Sequence, residues 1–285
     1  MSVMSAEKGR ATESKAPIPA RGFRRPLLMG VVNATPDSFH AASRADGIES
    51  VISRARRLVE EGADILDLGG QSTRPGSEAV SLDEERARVI PAVRTLAKMV
   101  DVPLSVDTDK AELAREAFEA GATILNDVNA LRSPGMLEAA KLFKTVVLMH
   151  MKGEPRTMQA DPRYEDVVEE VHAFLNARET RFRAEGGRAE VWVDPGIGFG
   201  KTLDHNLALI RALPRLSKVG PVVLGVSRKS FLSKITPDEG TQDRLPGSLA
   251  AAAWASLNGG CAVLRVHDVA ETRRALDVLE ALESR

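Results

Sequence analysis

The sequence predicts an α/β protein, a single domain built as a (β/α)8 TIM barrel. Three observations carry this expectation. Short apolar runs alternate with helical patterns eight times, each run ending in a polar residue and a loop before the next helix. Such alternation requires a parallel sheet, because every crossover returns the chain to the same strand direction. Eight units in about 260 residues suit a closed barrel. An open doubly wound sheet would usually carry a G-x-G-x-x-G turn after its first strand, and none is found there.

The units follow in order. Residues 1–25 are expected to form a disordered tail ahead of a barrel spanning 26–285, with Arg21, Arg24 and Arg25 as a solvated basic lead-in. Leu27 to Val32 is an apolar run ending at Asn33. Residues 48–62 carry Ile48, Ile52, Ala55 and Val59 on one helical face, with Gly62 as the stop. Ile65–Leu68 leads into the loop Gly69–Gly76. Ser81 opens the next helix, and Glu84 completes a capping box. Leu104–Asp107 is followed by a helix over 110–120 closed by Gly121. Thr123–Asn126 is the fourth strand, with a short helix from Pro134. Thr145–Met149 ends in His150, and a long polar helix over 164–185 stops at Gly186-Gly187. Val191–Val193 delivers Asp194 into a glycine-rich loop, Pro195 to Lys201, and a helix covers 204–213. Val222–Val226 ends in Ser227-Arg228-Lys229-Ser230. Ser248–Leu257 is an alanine-rich helix, Ala262–Val266 the eighth strand and 270–283 the closing helix.

Composition excludes several function classes. A net charge of −1 over 285 residues creates no field that would recruit nucleic acid or an acidic membrane. The single cysteine, Cys261, makes no internal disulfide, fits a reducing cytoplasm, and is expected to serve strand packing. No run approaches the length of a membrane span. The first 25 residues lack a signal-peptide core, and Glu7 and Glu13 argue against a transit sequence. A cytoplasmic location is the expectation.

In a barrel, polar residues at the carboxyl ends of the strands converge on one face, where active sites sit. Here those ends supply Asn33, Gln71 with Thr73 and Arg74, Asp107, Asn126 with Asp127, His150, Asp194, Lys229, and Arg265 with His267. Asp107, Asp194 and Asn126 suit a nitrogen-rich heterocycle. Arg265, His267, Arg74 and Lys229 suit phosphate, which arginine binds through two parallel hydrogen bonds. The expected mouth is divided, with a heterocycle pocket below and an anion rim above. Gly196, Gly198 and Gly200 are expected to let backbone amides approach a ligand.

Seven motifs in order now point one way: Gly30–Phe39, Asp67–Gly76, Ser105–Thr108, Asn126–Val128, Asp194–Lys201, Ser227–Ser230 and Arg265–Asp268. Together they resemble dihydropteroate synthase over residues 27 to about 282. That family joins 6-hydroxymethyl-7,8-dihydropterin diphosphate to p-aminobenzoate, releasing pyrophosphate, and sulfonamides compete with the aminobenzoate. The resemblance implies that Asp107, Asn126, Asp194 and Lys229 hold the pterin. It implies that Asn33, Arg265 and His267 meet the diphosphate, with Asn33 as ligand to a magnesium ion. Thr73, Arg74, Pro75, Phe199, Lys229 and Ser230 would form the p-aminobenzoate slot, its carboxylate meeting amides at a helix start near Ser230. Asp107, Lys229, Arg265 and His267 would be the catalytic set, and a homodimer is expected.

The chain departs from the family pattern in two places. Its first loop, Phe39 to Gly47, lacks the usual Asp-Gly-Gly, and Gln71 stands where glutamate is common. Other readings stay open from residues alone. His150 either caps its strand or meets ligand; Ala251–Ala255 either packs on the barrel or forms a dimer face. His172 and His205 are expected at the surface. Asp67 reads as an inward structural acceptor, and Asp127 as a partner of nearby backbone. A corrinoid-dependent pterin-binding methyltransferase or a non-catalytic pterin-binding relative shares the barrel and the pterin-side residues. The methyltransferase has no use for the cationic Ser227–Ser230 and Arg265–His267 pair, while the non-catalytic reading stays open. A metal-dependent hydrolase would want His-x-His at the end of the first strand, where this chain has Asn33.

Overall fold

Eight parallel strands lie side by side in chain order, and the last closes on the first. They are β1 (Leu27–Asn33), β2 (Ile65–Gly69), β3 (Leu104–Asp107), β4 (Ile124–Asp127), β5 (Thr145–Met149), β6 (Glu190–Asp194), β7 (Val222–Leu224) and β8 (Cys261–Val266). The helices outside them are α1 (Arg44–Glu60), α2 (Leu82–Met99), α3 (Ala111–Ala120), α4 (Met136–Ala140), α5 (Val167–Ala184), α6 (Leu203–Arg211), α7 (Leu213–Leu216), α8 (Leu245–Leu257) and α9 (Val269–Glu283). This computed structural model describes residues 25–34, 44–71, 80–153, 157–236 and 244–283. Residues 1–24, the proposed tail, lie outside the described residues, as do Thr73, Arg74, Pro75 and most of the atypical first loop.

The strands are buried on both faces, as covered parallel sheets require; β2 and β5 expose none of their residues. Outward side chains such as Leu28, Leu66, Leu125 and Val146 pack under the helices. Inward, Met29, Ile65, Ile124, Val147, Trp192, Val223 and Val263 form an apolar floor across the barrel. Side chains alternate with period two along a strand. The next inward positions after Ile65, Ile124, Trp192 and Val263 are therefore Asp67, Asn126, Asp194 and Arg265. The floor and the site are consecutive layers of the same strands.

Local chemistry explains where the elements begin and end. The capping box at Ser81 forms as expected, the hydroxyl accepting from the Glu84 amide at 3.3 Å. Gly121 takes the left-handed conformation that closes α3, at φ 114°. Several expected boundaries are corrected. The helix expected over 48–62 begins at Arg44, so Gly47 is helical. That over 164–185 begins at Val167, because the Asp166 carboxylate caps the Val168 and Glu169 amides. The helix from Ser248 starts earlier, at Leu245, with Pro246 in its first turn. The helix expected over 204–213 is α6, ending at Arg211, and a separate extra turn, α7, follows it. The strand expected over Val222–Val226 stops at Leu224, and its register against β8 shifts between Val222 and Val223.

Arg25 is more than a solvated lead-in: its guanidinium pairs with Asp277 on α9 at 2.7 Å. Cys261 is half-buried at the base of β8, its Sγ 3.5 Å from the Val263 carbonyl. Burial pushes its thiol up to about 12, which keeps it unreactive. Among the described residues, no helix is long and apolar enough to cross a membrane.

Candidate active site

One arginine organises the polar layer. Arg265 reaches across the barrel from β8 and donates through Nε to Asp67 Oδ2 at 2.6 Å and through Nη2 to Asp107 Oδ2 at 2.7 Å. Asp67 is fully buried and also accepts from Ser105 Oγ at 2.6 Å and Asn126 Nδ2 at 3.1 Å. The expectation that Asp67 is an inward structural acceptor holds. Register explains the gathering: Asp67 is paired with Ser105, and Asp107 with Asn126. Burial pushes the Asp107 carboxyl up to about 8, with Arg265 opposing and the Asp67 charge adding to the rise. The same carboxylates raise Arg265, so its charge is permanent. Arg265 is thus bound among the carboxylates, deeper than the rim position expected from sequence.

Asp194 stands at the end of β6, buried, and accepts from the Gly196 amide at 2.6 Å. Burial raises it, with the nearby Lys229 charge opposing. Lys229 comes from the loop after β7, where Arg228 has a left-handed backbone at φ 60°. That conformation costs an ordinary residue of order 1–3 kcal/mol and persists only where the surroundings hold it. Here the Arg228 amide donates to Ser248 Oγ at 2.9 Å and its guanidinium is locked onto Asp268. The kink sends Arg228 toward the end of β8 and Lys229 toward the β6 loop. The Lys229 ammonium bonds the Ile197 carbonyl and lies 4.8 Å from the centre of the Phe199 ring. Burial lowers it to about 8, with Asp194 opposing.

The remaining expected residues are distributed around this centre. His267 meets Ser227 Oγ through its backbone amide at 3.2 Å and its Nδ1 at 3.1 Å, and Arg54 of α1 holds its carbonyl at 2.8 Å. Asn33 is exposed at the end of β1, paired in register with Gly69. Ser230 is exposed, and the helix start expected beside it is only a single 3-10 turn, Leu232–Lys234. Asp127 accepts from the Asn129 and Leu131 amides at 2.7 and 2.6 Å, a loop-shaping role. His205, expected at the surface, is half-buried and closes a capping box with Thr202.

The loop glycines also have a packing role. Gly196 and Gly200 are left-handed, at φ 66° and 62°. A Cβ on either would run into the backbone carbonyl of His150 or Lys152. They let the β6 loop lie directly on the β5 loop.

Sequence reasoning missed two charged groups. Glu85 of α2, 1 % exposed, takes the Lys110 ammonium at 2.7 Å, and the same ammonium donates to Gln71 Oε1 at 2.8 Å. Glu85 shares a stripe with Val89, Val93 and Leu96, and a charge on a buried stripe was a readable signal. The neutral Gln71 also makes sense here, since Asp109 lies 3.6 Å from the same lysine. A glutamate would crowd a third carboxylate around one cation. The second missed group is Lys201, 2 % exposed, with its Nζ 3.0 Å from His150 Nδ1. His150 is therefore buried against a lysine, and no periodicity announces that contact.

Comparison with known proteins agrees with this geometry. The family of pterin binding enzymes matches residues 29–267. The dihydropteroate synthase of Escherichia coli (strain K12) is 42% identical over 259 residues, covering 90% of this chain and 91% of that protein. The Xanthomonas albilineans dihydropteroate synthase solved with 4-aminobenzoic acid superposes with a TM-score of 0.84 at 45% identity, covering 92% of this chain and 94% of that one. The same enzyme in complex with 7,8-dihydropteroate gives 0.82 at 43% identity, covering 92% and 95%. A barrel with this polar layer, matched along nine-tenths of its length, places the chain in the family of pterin binding enzymes and, within it, among the dihydropteroate synthases.

Proposed function

We propose that the chain joins 6-hydroxymethyl-7,8-dihydropterin diphosphate to p-aminobenzoate, forming 7,8-dihydropteroate and pyrophosphate. The observation that carries this reading is the polar layer of Asp107, Asn126, Asp194 and Arg265, with Lys229 and Phe199 stacked at its edge. The corrinoid-dependent methyltransferase reading falls away with the family assignment.

The chemistry follows from what these groups hold. Asp107, Asn126, Asp194 and Lys229 bind the pterin ring, whose donors and acceptors they complement. Arg265 and His267, with Asn33, face the diphosphate. Breaking the carbon–oxygen bond sends its electron pair to the departing pyrophosphate. The carbon left behind carries positive charge, and the Asp107 carboxylate stabilises it as it develops. The amine of p-aminobenzoate donates its lone pair to that carbon and then loses a proton. Its slot is formed by Phe199, Lys229 and Ser230, with Thr73, Arg74 and Pro75 from the second loop. No covalent enzyme intermediate is required, and holding two substrates in line supplies much of the acceleration.

A magnesium ion fits the donor set. Among the described residues no group of three or more His, Cys, Asp or Glu could hold a metal. Asn33 offers one oxygen ligand at an exposed strand end, which suits an ion that takes its other ligands from phosphate and water. When bound, magnesium would neutralise charge on the leaving pyrophosphate. The test is pyrophosphate release from the two substrates with magnesium. Release is expected only with both substrates present, to stop with excess EDTA, and to be inhibited by a sulfonamide in competition with p-aminobenzoate. Release that continues in EDTA would remove the metal role given to Asn33.

Lys229→Ala is expected to lower kcat/KM about thirtyfold, the equivalent of about 2 kcal/mol for a lost charged contact. In the wild type kcat/KM should form a bell centred near pH 8, its acid limb set by ionisation of Asp107 and its alkaline limb by the Lys229 ammonium losing its proton. Lys229→Arg should push that alkaline limb upward. An unchanged limb in the arginine variant would assign it elsewhere.

A homodimer is the proposed assembly. Trp254 and Leu257 on α8 are 49% and 52% exposed, and Val278 and Leu282 on the adjoining α9 are 60% and 69% exposed. Ala252 and Ala255 face the barrel, so the alanine-rich helix packs inward while its aromatic face stays open. Sedimentation velocity at micromolar concentration should show a dimer; a monomer there would defeat the proposal. A cytoplasmic location remains the reading that the single, unreactive Cys261 supports.

A further inference from the structure

The loop that carries Phe199 has no regular secondary structure between Gly196 and Lys201. Yet four successive carbonyls in it each accept a hydrogen bond from a side chain. Ile197 takes the Lys229 ammonium and Gly198 takes the Gln159 amide. Phe199 takes the Lys201 ammonium at 2.9 Å, and Gly200 takes the Tyr164 hydroxyl at 2.9 Å. The Gly198 amide is held as well, donating to Asn206 Oδ1 on α6 at 2.8 Å. Gly196, Ile197 and Gly200 are buried, so side chains supply here what water gives an exposed loop, and they fix the path of the backbone that carries Phe199.

Lys201 is the costliest of these donors. A buried ammonium is unfavourable unless its protons are matched. Its Nζ reaches Phe199 O, His150 Nδ1 at 3.0 Å and His150 O at 3.4 Å, tying the β6 loop to the end of β5. Tyr164 is the chain's single tyrosine. Its ring is wedged edge-on against His205 at 4.9 Å and lies under the Lys152 ammonium at 4.1 Å, so its hydroxyl has a fixed direction. These two donors hold the carbonyls on and immediately after Phe199. The pterin-side groups Asp107, Asn126 and Asp194 sit on strands and need no such clamp.

We propose that Lys201 and Tyr164 are positioning residues for the aromatic second substrate. They fix the backbone of the Phe199 loop, setting the ring against which p-aminobenzoate packs, and bear less on the strand-borne pterin residues. The proposal rests on the reading that Phe199 lines the p-aminobenzoate slot.

The test is steady-state kinetics of Lys201→Met and Tyr164→Phe, varying each substrate separately. KM for p-aminobenzoate should rise about tenfold in Lys201→Met and about threefold in Tyr164→Phe, which loses only a hydroxyl. KM for the pterin diphosphate should rise clearly less than that for p-aminobenzoate in both, since Asp107, Asn126 and Asp194 lie on strands and only Lys229 reaches the pterin from beside this loop. Tyr164→Phe keeps the ring packing, so it decides the matter should Lys201→Met fold poorly. Unchanged KM for p-aminobenzoate, or equal rises for both substrates, overturns the proposal while wild-type turnover still upholds the synthase reading. A wild type that releases no pyrophosphate from the two substrates overturns both.

Discussion

Arg265→Ala is expected to destabilise the protein by about 3–5 kcal/mol and to abolish turnover. The loss comes less from the missing arginine than from what it leaves behind. Asp67 is fully buried and Asp107 nearly so, and both lose the cation they share. Chemical denaturation across pH measures this directly. Asp107 already sits above its ordinary range with Arg265 present, raised by burial to about 8. A carboxyl whose folded pKa is raised favours the fold below its unfolded pKa and loses that contribution as pH climbs through the folded value. Without Arg265 the Asp107 carboxyl rises further, so the variant's deficit should grow as pH climbs through and above about 8, where the wild-type carboxyl ionises and the variant's does not, and shrink on acidification. Arg265→Lys should recover only part, since a point charge cannot serve two carboxylates that a planar fork spans. A variant as stable as wild type at pH 8 would show that the two aspartates do not depend on this pairing.

Asp107→Ala is expected to reduce kcat by about 10²–10³. Binding of the pterin substrate should weaken far less. The proposed role of Asp107 grows as positive charge develops on the substrate carbon, and only interactions stronger in the transition state raise the rate. Asp107→Asn is the sharper variant, because it keeps shape and hydrogen bonding to Arg265 while removing charge. Pre-steady-state measurement of the pterin Kd alongside kcat separates the two contributions. Equal losses in both quantities would assign Asp107 to binding alone.

How much of this was readable in advance depends on the kind of contact. Strand ends were legible because apolar runs stop where the chain leaves the barrel, so Asn33, Asp107, Asn126 and Asp194 could be placed at the mouth from pattern alone. Their partners were not. That Arg265 spans the barrel to Asp67 and Asp107 depends on closure of the sheet, which brings together residues 198 and 158 positions apart. Arg265 was expected at the lip because its chemistry suits phosphate, and the depth of a long side chain is not written in spacing. Helix boundaries slipped where a side chain decided them, as at Asp166, whose carboxylate starts α5 later than the apolar pattern suggests. The short β7 is another tertiary outcome: the kink at Arg228, held by Ser248 and Asp268, sets the turn that ends its unit. The Lys201–His150 contact joins two loops, and loops carry no period from which to infer their neighbours.

The apolar floor has an optical consequence. Trp192 lies within it, 1 % exposed, and its indole nitrogen has no hydrogen-bond partner; the chain's other tryptophan, Trp254, is half exposed on α8. An indole in dry surroundings emits at shorter wavelengths than one in water. A single fluorescence spectrum therefore holds two separable signals, a blue component from beneath the substrate layer and a red one from the outer surface. Iodide in solution would quench the second and spare the first, so events at the centre of the barrel and at its periphery can be followed in one unlabelled sample.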